Sequence, residues 1–348
     1  MVINEKIRVG NIYYMLAYAF QTLRESGYAD LATESFDNIQ HLLAEILRRG
    51  ISTQLKRGLN RDYLEHIEAC PSPRGKIEIA ASIRERSNHR LVCRFDEFSE
   101  NTRMNRILKT CLTLLSISEK IPSETARSLR RLLGYFNGVD VISTREIQWS
   151  QLSWHRHNVA YKMLMNVCRL LLEGMLPSDA AGARKLSAWL DEQRMSSLYE
   201  RFILGYYRQE HPQLSARAPQ IQWFVDDGIT RHLPVMQTDV VLKSKRGTMI
   251  IDAKFYGRST QTHYHGQKVT LLSANLYQIF TYVKNMDSGG SGSTSGLLLY
   301  AKTQQSPAPD TDYLMGGNRI SVRSLDLAAN WDAIKSRLDG IAAPLYDN

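Results

Sequence analysis

At 348 residues the chain is long enough for two hydrophobic cores, taking roughly 150 residues per domain. Apolar residues at 43% and charged residues at 23% lie near globular averages and argue against a disordered or fibrous chain. With 44 Lys and Arg against 35 Asp and Glu, the formal charge of +9 favours a polyanionic partner, although ordinary solubility accounts for it equally well.

The excess is placed unevenly: residues 201–300 hold 11 basic against 6 acidic residues, and residues 101–150 hold 8 against 4. No stretch approaches the roughly 18 apolar residues of a membrane span, and the first residues lack a signal-type apolar run. A cytoplasmic location without membrane contact is expected. Cys70, Cys93, Cys111 and Cys168 form no C-x-x-C pair and are expected to be reduced thiols, neither disulfide-bonded nor zinc-binding.

In chain order, Ile12, Met15, Leu16, Ala19 and Phe20 recur at helical spacing. Tyr13, Tyr14 and Tyr18 on this segment read as core or interface more readily than as base-stacking residues. A second helix through Ile39, Leu42, Leu43, Ile46 and Leu47 should end at Gly50 as its C-cap. Between 51 and 98, short apolar runs broken by Pro71, Pro73 and Gly75 predict short strands, among them Lys76–Ile79. Residues 101–136 predict a helical hairpin with Pro122-Ser123 opening its second arm. Its outer face carries Arg103, Arg106, Lys109, Arg127, Arg130 and Arg131, ready for nucleic acid, an acidic protein surface or simply water. A helix through Met163 and Leu171 closes this half, and Pro177–Gly182 is the expected linker.

Residues 195–209 then predict a helix. Strands are expected over Pro219–Val225, Val235–Leu242 and Thr248–Ala253, followed by a helix over Leu271–Asn285 and a strand over Leu297–Ala301. The Ser/Gly tract 287–296 is expected to be a mobile loop. The fold class that emerges is an α+β N-terminal region, 1–180, of helices, short strands and a helical hairpin, followed by an α/β domain, 181–348.

Chemistry concentrates at Met249-Ile-Ile-Asp-Ala-Lys254, an apolar strand ending in Asp252 and Lys254, which share one face because strand side chains alternate. Asp239 opens a neighbouring apolar strand joined by the turn 243–247, so the two strands can set Asp239 beside Asp252. Phosphodiester hydrolysis needs phosphate charge neutralised and a water made nucleophilic, and a hard cation held by carboxylates does both. Mg²⁺ suits the two Asp groups and a backbone carbonyl such as that of Ala253, with Mn²⁺ as a substitute. Glu200 is a candidate third metal ligand, or a solvated helix residue beside Arg201. Lys254 would orient the water and offset transition-state charge. A lone D-x-K tripeptide also arises by chance; the order of its surroundings gives it weight. Gln278 and Tyr282, four apart, share a helix face. His263 and His265 in a polar loop read as solvent-exposed or phosphate-contacting and stay outside the metal set.

The segments Val9-Gly-Asn-Ile-Tyr-Tyr-Met-Leu-Ala-Tyr18, Gly75-Lys-Ile-Glu78, Asn101-Thr-Arg-Met-Asn-Arg-Ile107 and the module from Thr238-Asp239 to Asp252-Ala-Lys254 resemble the McrC family over nearly the whole chain. These are nuclease subunits of the PD-(D/E)XK superfamily. The resemblance implies a restriction-endonuclease-like fold for 181–348, with Asp239, Asp252 and Lys254 at catalytic positions and Gln278 and Tyr282 as a Q-x-x-x-Y element. It further implies a separate partner, an McrB-like AAA+ hexamer that binds GTP, reads DNA with modified cytosine and is stimulated by the N-terminal half of this chain. The absence of G-x-x-x-x-G-K-[ST] fits nucleotide hydrolysis by a partner. The competing expectation is a non-cleaving activator of that GTPase with a vestigial nuclease fold.

Overall fold

The computed structural model describes residues 7–20, 31, 36, 38–155, 158, 160–175, 192–255, 260–262, 269–302 and 310–346. The expected linker Pro177–Gly182 and the histidines His263 and His265 lie outside them. The helices in chain order are α1 (Val9–Ala19), α2 (Ile39–Leu55), α3 (Ile79–Arg84), α4 (Arg103–Ser116), α5 (Ser123–Leu133), α6 (Tyr161–Met175), α7 (Glu192–Glu210), α8 (Ser273–Met286) and α9 (Trp331–Ala342). The strands are β1 (Asp62–Cys70), β2 (Lys76–Ile77), β3 (Leu91–Ser99), β4 (Gln220–Ile221), β5 (Met236–Gln237) and β6 (Val240–Ser244). They continue with β7 (Gly247–Lys254), β8 (Thr260–Thr262), β9 (Val269–Leu271), β10 (Thr294–Ala301), β11 (Thr311–Met315) and β12 (Asn318–Leu325). Two compact units form, one of residues 40–176 and one of residues 1–39 with 177–348.

In the 40–176 unit, α2 runs past Gly50 to Leu55, beyond the expected cap, because the fully buried Ile51 extends the apolar stripe of Leu47. Burial of that kind outweighs the roughly 1 kcal/mol a mid-helix glycine costs. The expected strands form a three-stranded antiparallel sheet ordered β1-β3-β2. Pairing of the Lys76 segment stops at Ile77, where α3 takes over: Glu78 N donates to Val92 O at 2.8 Å, and Val92 N donates to Ser82 Oγ at 2.8 Å. The helix thus satisfies the strand groups that a longer β2 would have satisfied.

The helical hairpin is α4 and α5. Several of its basic residues are structural: Lys109 donates to the carbonyls of Phe136 and Val139, Arg130 to that of Ser116, and Arg106 to Asn101 Oδ1. Arg103, Arg127 and Arg131 are exposed. Buried Asn105 ties the hairpin to its surroundings, donating to the carbonyls of Asn60 and Glu100 at 2.8 Å each and accepting from Tyr161 Oη at 2.9 Å. All four cysteines are buried and unbridged.

In the other unit a five-stranded mixed sheet is ordered β11-β12-β10-β7-β6. β7, β10 and β12 run parallel, while β6 and β11 are antiparallel edges. Ile250, Leu298, Tyr300, Ile320 and Val322 point to one face and pack with Ile279 and Val283 of α8. Gly296 permits that approach, since a Cβ there would come within 2.8 Å of both Ile279 and Val283. β11, β12 and α9, for which no element is expected from the sequence, complete the sheet and its second cover.

α1 packs in this unit although the sequence reading groups it with residues up to 180. The ring of Tyr18 lies 5.2 Å from that of Tyr206, and Tyr14 stacks on Trp331 at 4.1 Å. Asn11 Nδ2 donates to the carbonyls of Leu327 and Ala329. The tract 287–296 is organised rather than mobile: Asp287 accepts from Ser291 N, Ser291 Oγ, Gly292 N and Asn318 Nδ2.

Candidate active site

The expected strand Val235–Leu242 is broken at Thr238-Asp239, because Thr238 turns both its N–H and its hydroxyl to the carbonyl of Pro219, at 3.2 and 2.6 Å. The chain then re-enters the sheet at Val240, which pairs with Ile251. Continuing that antiparallel register sets Asp239 opposite Asp252, and Asp239 Oδ2 accepts the N–H of Ala253 at 2.8 Å. Asp252 is 3% exposed.

Two carboxyls so placed oppose each other's ionisation. Burial pushes Asp239 up to about 7, with the charges of Asp252 and Glu200 adding to the rise and the Ala253 N–H and Lys254 opposing it. Asp252 is raised too, by burial first, against the pull of Lys254.

Lys254 lies on the face of β7 that carries Asp252 and turns its Nζ to 2.9 Å from Asp252 Oδ2. The same Nζ donates to Gln278 Oε1 at 3.0 Å. Gln278 Nε2 donates to Tyr282 Oη at 3.0 Å, and Tyr282 Oη donates to the carbonyl of Gln237 at 3.1 Å. This relay crosses from β7 to α8 and back to β5, two residues before Asp239. Asn275 Nδ2, one turn ahead of Gln278, donates to Tyr300 Oη, and Tyr300 pairs with Lys254 in the sheet register.

Glu200, on α7, accepts Ser196 Oγ at 3.0 Å. Its carboxyl is raised by burial, with the Ser196 bond and Lys254 opposing and the charge of Asp252 adding. The structure therefore brings Asp239, Asp252, Lys254, Gln278 and Tyr282 together and holds Glu200 at their margin. Among the described residues no three His, Cys, Asp or Glu side chains converge as a finished cation cage. The donor set nevertheless suits a hard cation. Three carboxyls with raised pKa feel the charge of one lysine, and the buried Asp252 Oδ2 has that charge beside it yet accepts no well-angled hydrogen bond. Sequence reasoning missed Ser196, the Gln237 carbonyl and the Asn275–Tyr300 support. The i, i+4 spacing of Ser196 and Glu200 was the available signal for the first.

A family profile described as McrBC 5-methylcytosine restriction system component matches residues 4–301. The chain is 29% identical over 338 residues to the Type IV methyl-directed restriction enzyme EcoKMcrBC of Escherichia coli (strain K12), covering 95% of this chain and 96% of that one. Among solved structures, it is similar to the half-complex from a tetradecameric assembly of Thermococcus gammatolerans McrB AAA+ hexamers with bound McrC. There the TM-score is 0.48 at 15% identity, over 94% of this chain and 76% of that chain. A cryo-EM structure of the Thermococcus gammatolerans McrBC complex matches with a TM-score of 0.40 at 17% identity, over 59% and 60% of the two chains. With the profile spanning most of its length, the chain belongs to the McrBC 5-methylcytosine restriction system component family.

Proposed function

We propose that this chain is the Mg²⁺-dependent DNA endonuclease subunit of a GTP-driven restriction complex directed at modified cytosine, with a PD-(D/E)XK nuclease fold in residues 181–348. The observation that carries this reading is the convergence of Asp239, Asp252 and Lys254 at the meeting of two paired strands.

Asp239 and Asp252 would hold Mg²⁺, or Mn²⁺, with the Ala253 carbonyl beside them and Glu200 near enough to join. The bound cation supplies neutralisation of phosphate charge and a more acidic water. Lys254, gripped by Asp252 and Gln278, keeps its ammonium where it orients the attacking water and offsets charge gathering on the phosphate. Gln278 and Tyr282 are positioning residues for that ammonium.

Family membership and the methyl-directed relative support DNA with modified cytosine as the substrate. The partner in this reading is an McrB-like AAA+ GTPase hexamer that binds the GTP. Docking and GTPase stimulation fall to the N-terminal region within residues 1–180, where the hairpin exposes Arg103, Arg127 and Arg131 among its charges. The complex would work in the cytoplasm.

Incubation with such a partner, GTP, Mg²⁺ and cytosine-methylated DNA tests the reading. Cleavage should fall on the order of 10³-fold in Asp252→Ala while GTPase stimulation persists. Wild-type cutting by Asp252→Ala or Lys254→Ala overturns the site. GTPase stimulation by a wild-type chain that neither cuts nor binds Mg²⁺ would make it an activator with a vestigial nuclease fold.

A further inference from the structure

On the sheet face opposite α8, a cavity of about 800 Å³ opens between the sheet and α9. That volume is in the range of small-molecule sites. Four arginines line it, Arg246, Arg319, Arg323 and Arg337, against one lining carboxylate, Asp312. α9 contributes Arg337 and Ile341 together with the small residues Ala333, Ser336 and Gly340 that leave the space open, and Thr248, Ser293 and Ser321 add hydroxyls from the sheet side.

The charges do not cancel. Arg323 takes Asp310 at 3.0 Å and Asp312 at 2.7 Å, and Arg337 takes Asp310, so these two arginines are matched by two acids. Arg246 Nη1 donates instead to the neutral carbonyl of Tyr346 at 2.7 Å. Arg319 is exposed; its charge helps to lower the Asp312 carboxyl, but among the described residues it forms no close ion pair. Two guanidinium charges therefore face a hydroxyl-rich cavity, a donor set that matches phosphate oxygens.

The wall beside Arg246 is preformed. Tyr346 Oη is hydrogen-bonded to His211 Nδ1 and accepts Gln213 Nε2 at 2.8 Å, while His211 Nε2 lies 2.8 Å from Asp339. The cavity is separate from Asp252, the carboxylate of β7. Gly247 and Met249 line it, whereas Asp252 lies five residues beyond Gly247, roughly 17 Å along the strand, and faces the other side from Met249.

We propose that this cavity binds a phosphate-bearing ligand, with Arg246 and Arg319 holding the phosphate and the Ser and Thr hydroxyls holding the group esterified to it. The phosphate comes either from a free nucleotide or from a DNA strand. The proposal stands independently of the nuclease reading.

Calorimetry on the full chain without divalent cations, with inorganic phosphate, a nucleoside monophosphate and a short single-stranded oligonucleotide as probes, tests it. Saturable phosphate binding is expected, weakened about tenfold or more in Arg246→Ala/Arg319→Ala, since losing charge-assisted bonds of this kind costs at least that factor. Ser336→Trp, which fills the cavity from α9, should weaken it likewise, and Asp252→Asn should leave it unchanged. A nucleotide that binds more tightly than phosphate and is not displaced by the oligonucleotide identifies a free ligand; displacement that depends on the same arginines identifies a DNA phosphate. Absence of saturable binding, binding indifferent to the arginine and Ser336 variants, or loss in Asp252→Asn would overturn the proposal.

Discussion

Lys254 and Gln278 meet at 3.0 Å between Nζ and Oε1, and this contact fixes the polarity of everything behind it. Because Oε1 accepts from the ammonium, Nε2 must face Tyr282, whose hydroxyl proton is then left for the Gln237 carbonyl. Gln278→Ala would remove the contact by which α8 holds the Lys254 ammonium against Asp252. Cleavage should fall about 10- to 100-fold, mainly in kcat, as expected when a supporting hydrogen bond to a catalytic group is removed. Tyr282→Phe, which keeps the ring but frees Gln278 Nε2, should lose less. Single-turnover cleavage by both variants is the measurement, and wild-type rates in Gln278→Ala would remove the relay from the mechanism.

Asp239 sets a pH dependence of stability. Its folded-state pKa of about 7 lies above the ordinary carboxylate value, so the folded chain penalises the ionised form. That penalty is absent below about pH 4, grows between pH 4 and 7, and is constant above. Asp239→Asn removes it. Without divalent cations the variant should be more stable than wild type by roughly 1–3 kcal/mol at pH 8, since part of the rise passes to Asp252, and the difference should close as the pH falls towards 4. Urea unfolding at several pH values measures this. Added Mg²⁺ should narrow the gap by stabilising only the wild type.

The facing pair Asp239 and Asp252 was legible in the sequence because strand alternation and a short turn are local, and both survive folding. The same is true of Gln278 and Tyr282, where helical period alone fixes a common face. Long-range consequences were not legible. The stripe of α1 fits any apolar surface, and nothing local says that Tyr14 and Tyr18 meet Trp331 and Tyr206. Gly50 reads as a cap until Ile51 is seen to be fully buried. The Ser/Gly tract 287–296 reads as mobile because its organiser, Asp287, works partly through Asn318, far away in sequence.

Asn105 is the hub of the 40–176 unit, with three hydrogen bonds in a fully buried position. Asn105→Leu would leave the Asn60 and Glu100 carbonyls and the Tyr161 hydroxyl without this partner. Stranding buried polar groups should cost about 2–4 kcal/mol. Tyr161→Phe, which spares both carbonyls but also removes the acceptor of the Asn60 N–H at 2.7 Å, should cost less, about 1–2 kcal/mol. Denaturant unfolding of both variants checks the order, and equal losses would mean that the hub acts through packing rather than hydrogen bonding.

The same substitution should have opposite signs at two helical glycines. A Cβ at Gly205 of α7 would lie 2.0 Å from the carbonyl oxygen of Tyr18, and both partners are backbone, so no rotamer change relieves it. α1 would have to move, loosening the Tyr18 ring from Phe202 and Tyr206. Gly205→Ala should therefore destabilise the chain by about 1–3 kcal/mol in spite of alanine's better helix propensity. At Gly340 of α9 a Cβ meets nothing within 4 Å, so Gly340→Ala gains propensity without a clash and should stabilise by about 0.5–1 kcal/mol. Paired thermal melts read both signs. Hydrogen exchange across residues 9–20 should accelerate in the Gly205 variant alone, which separates displacement of α1 from a general loss of stability.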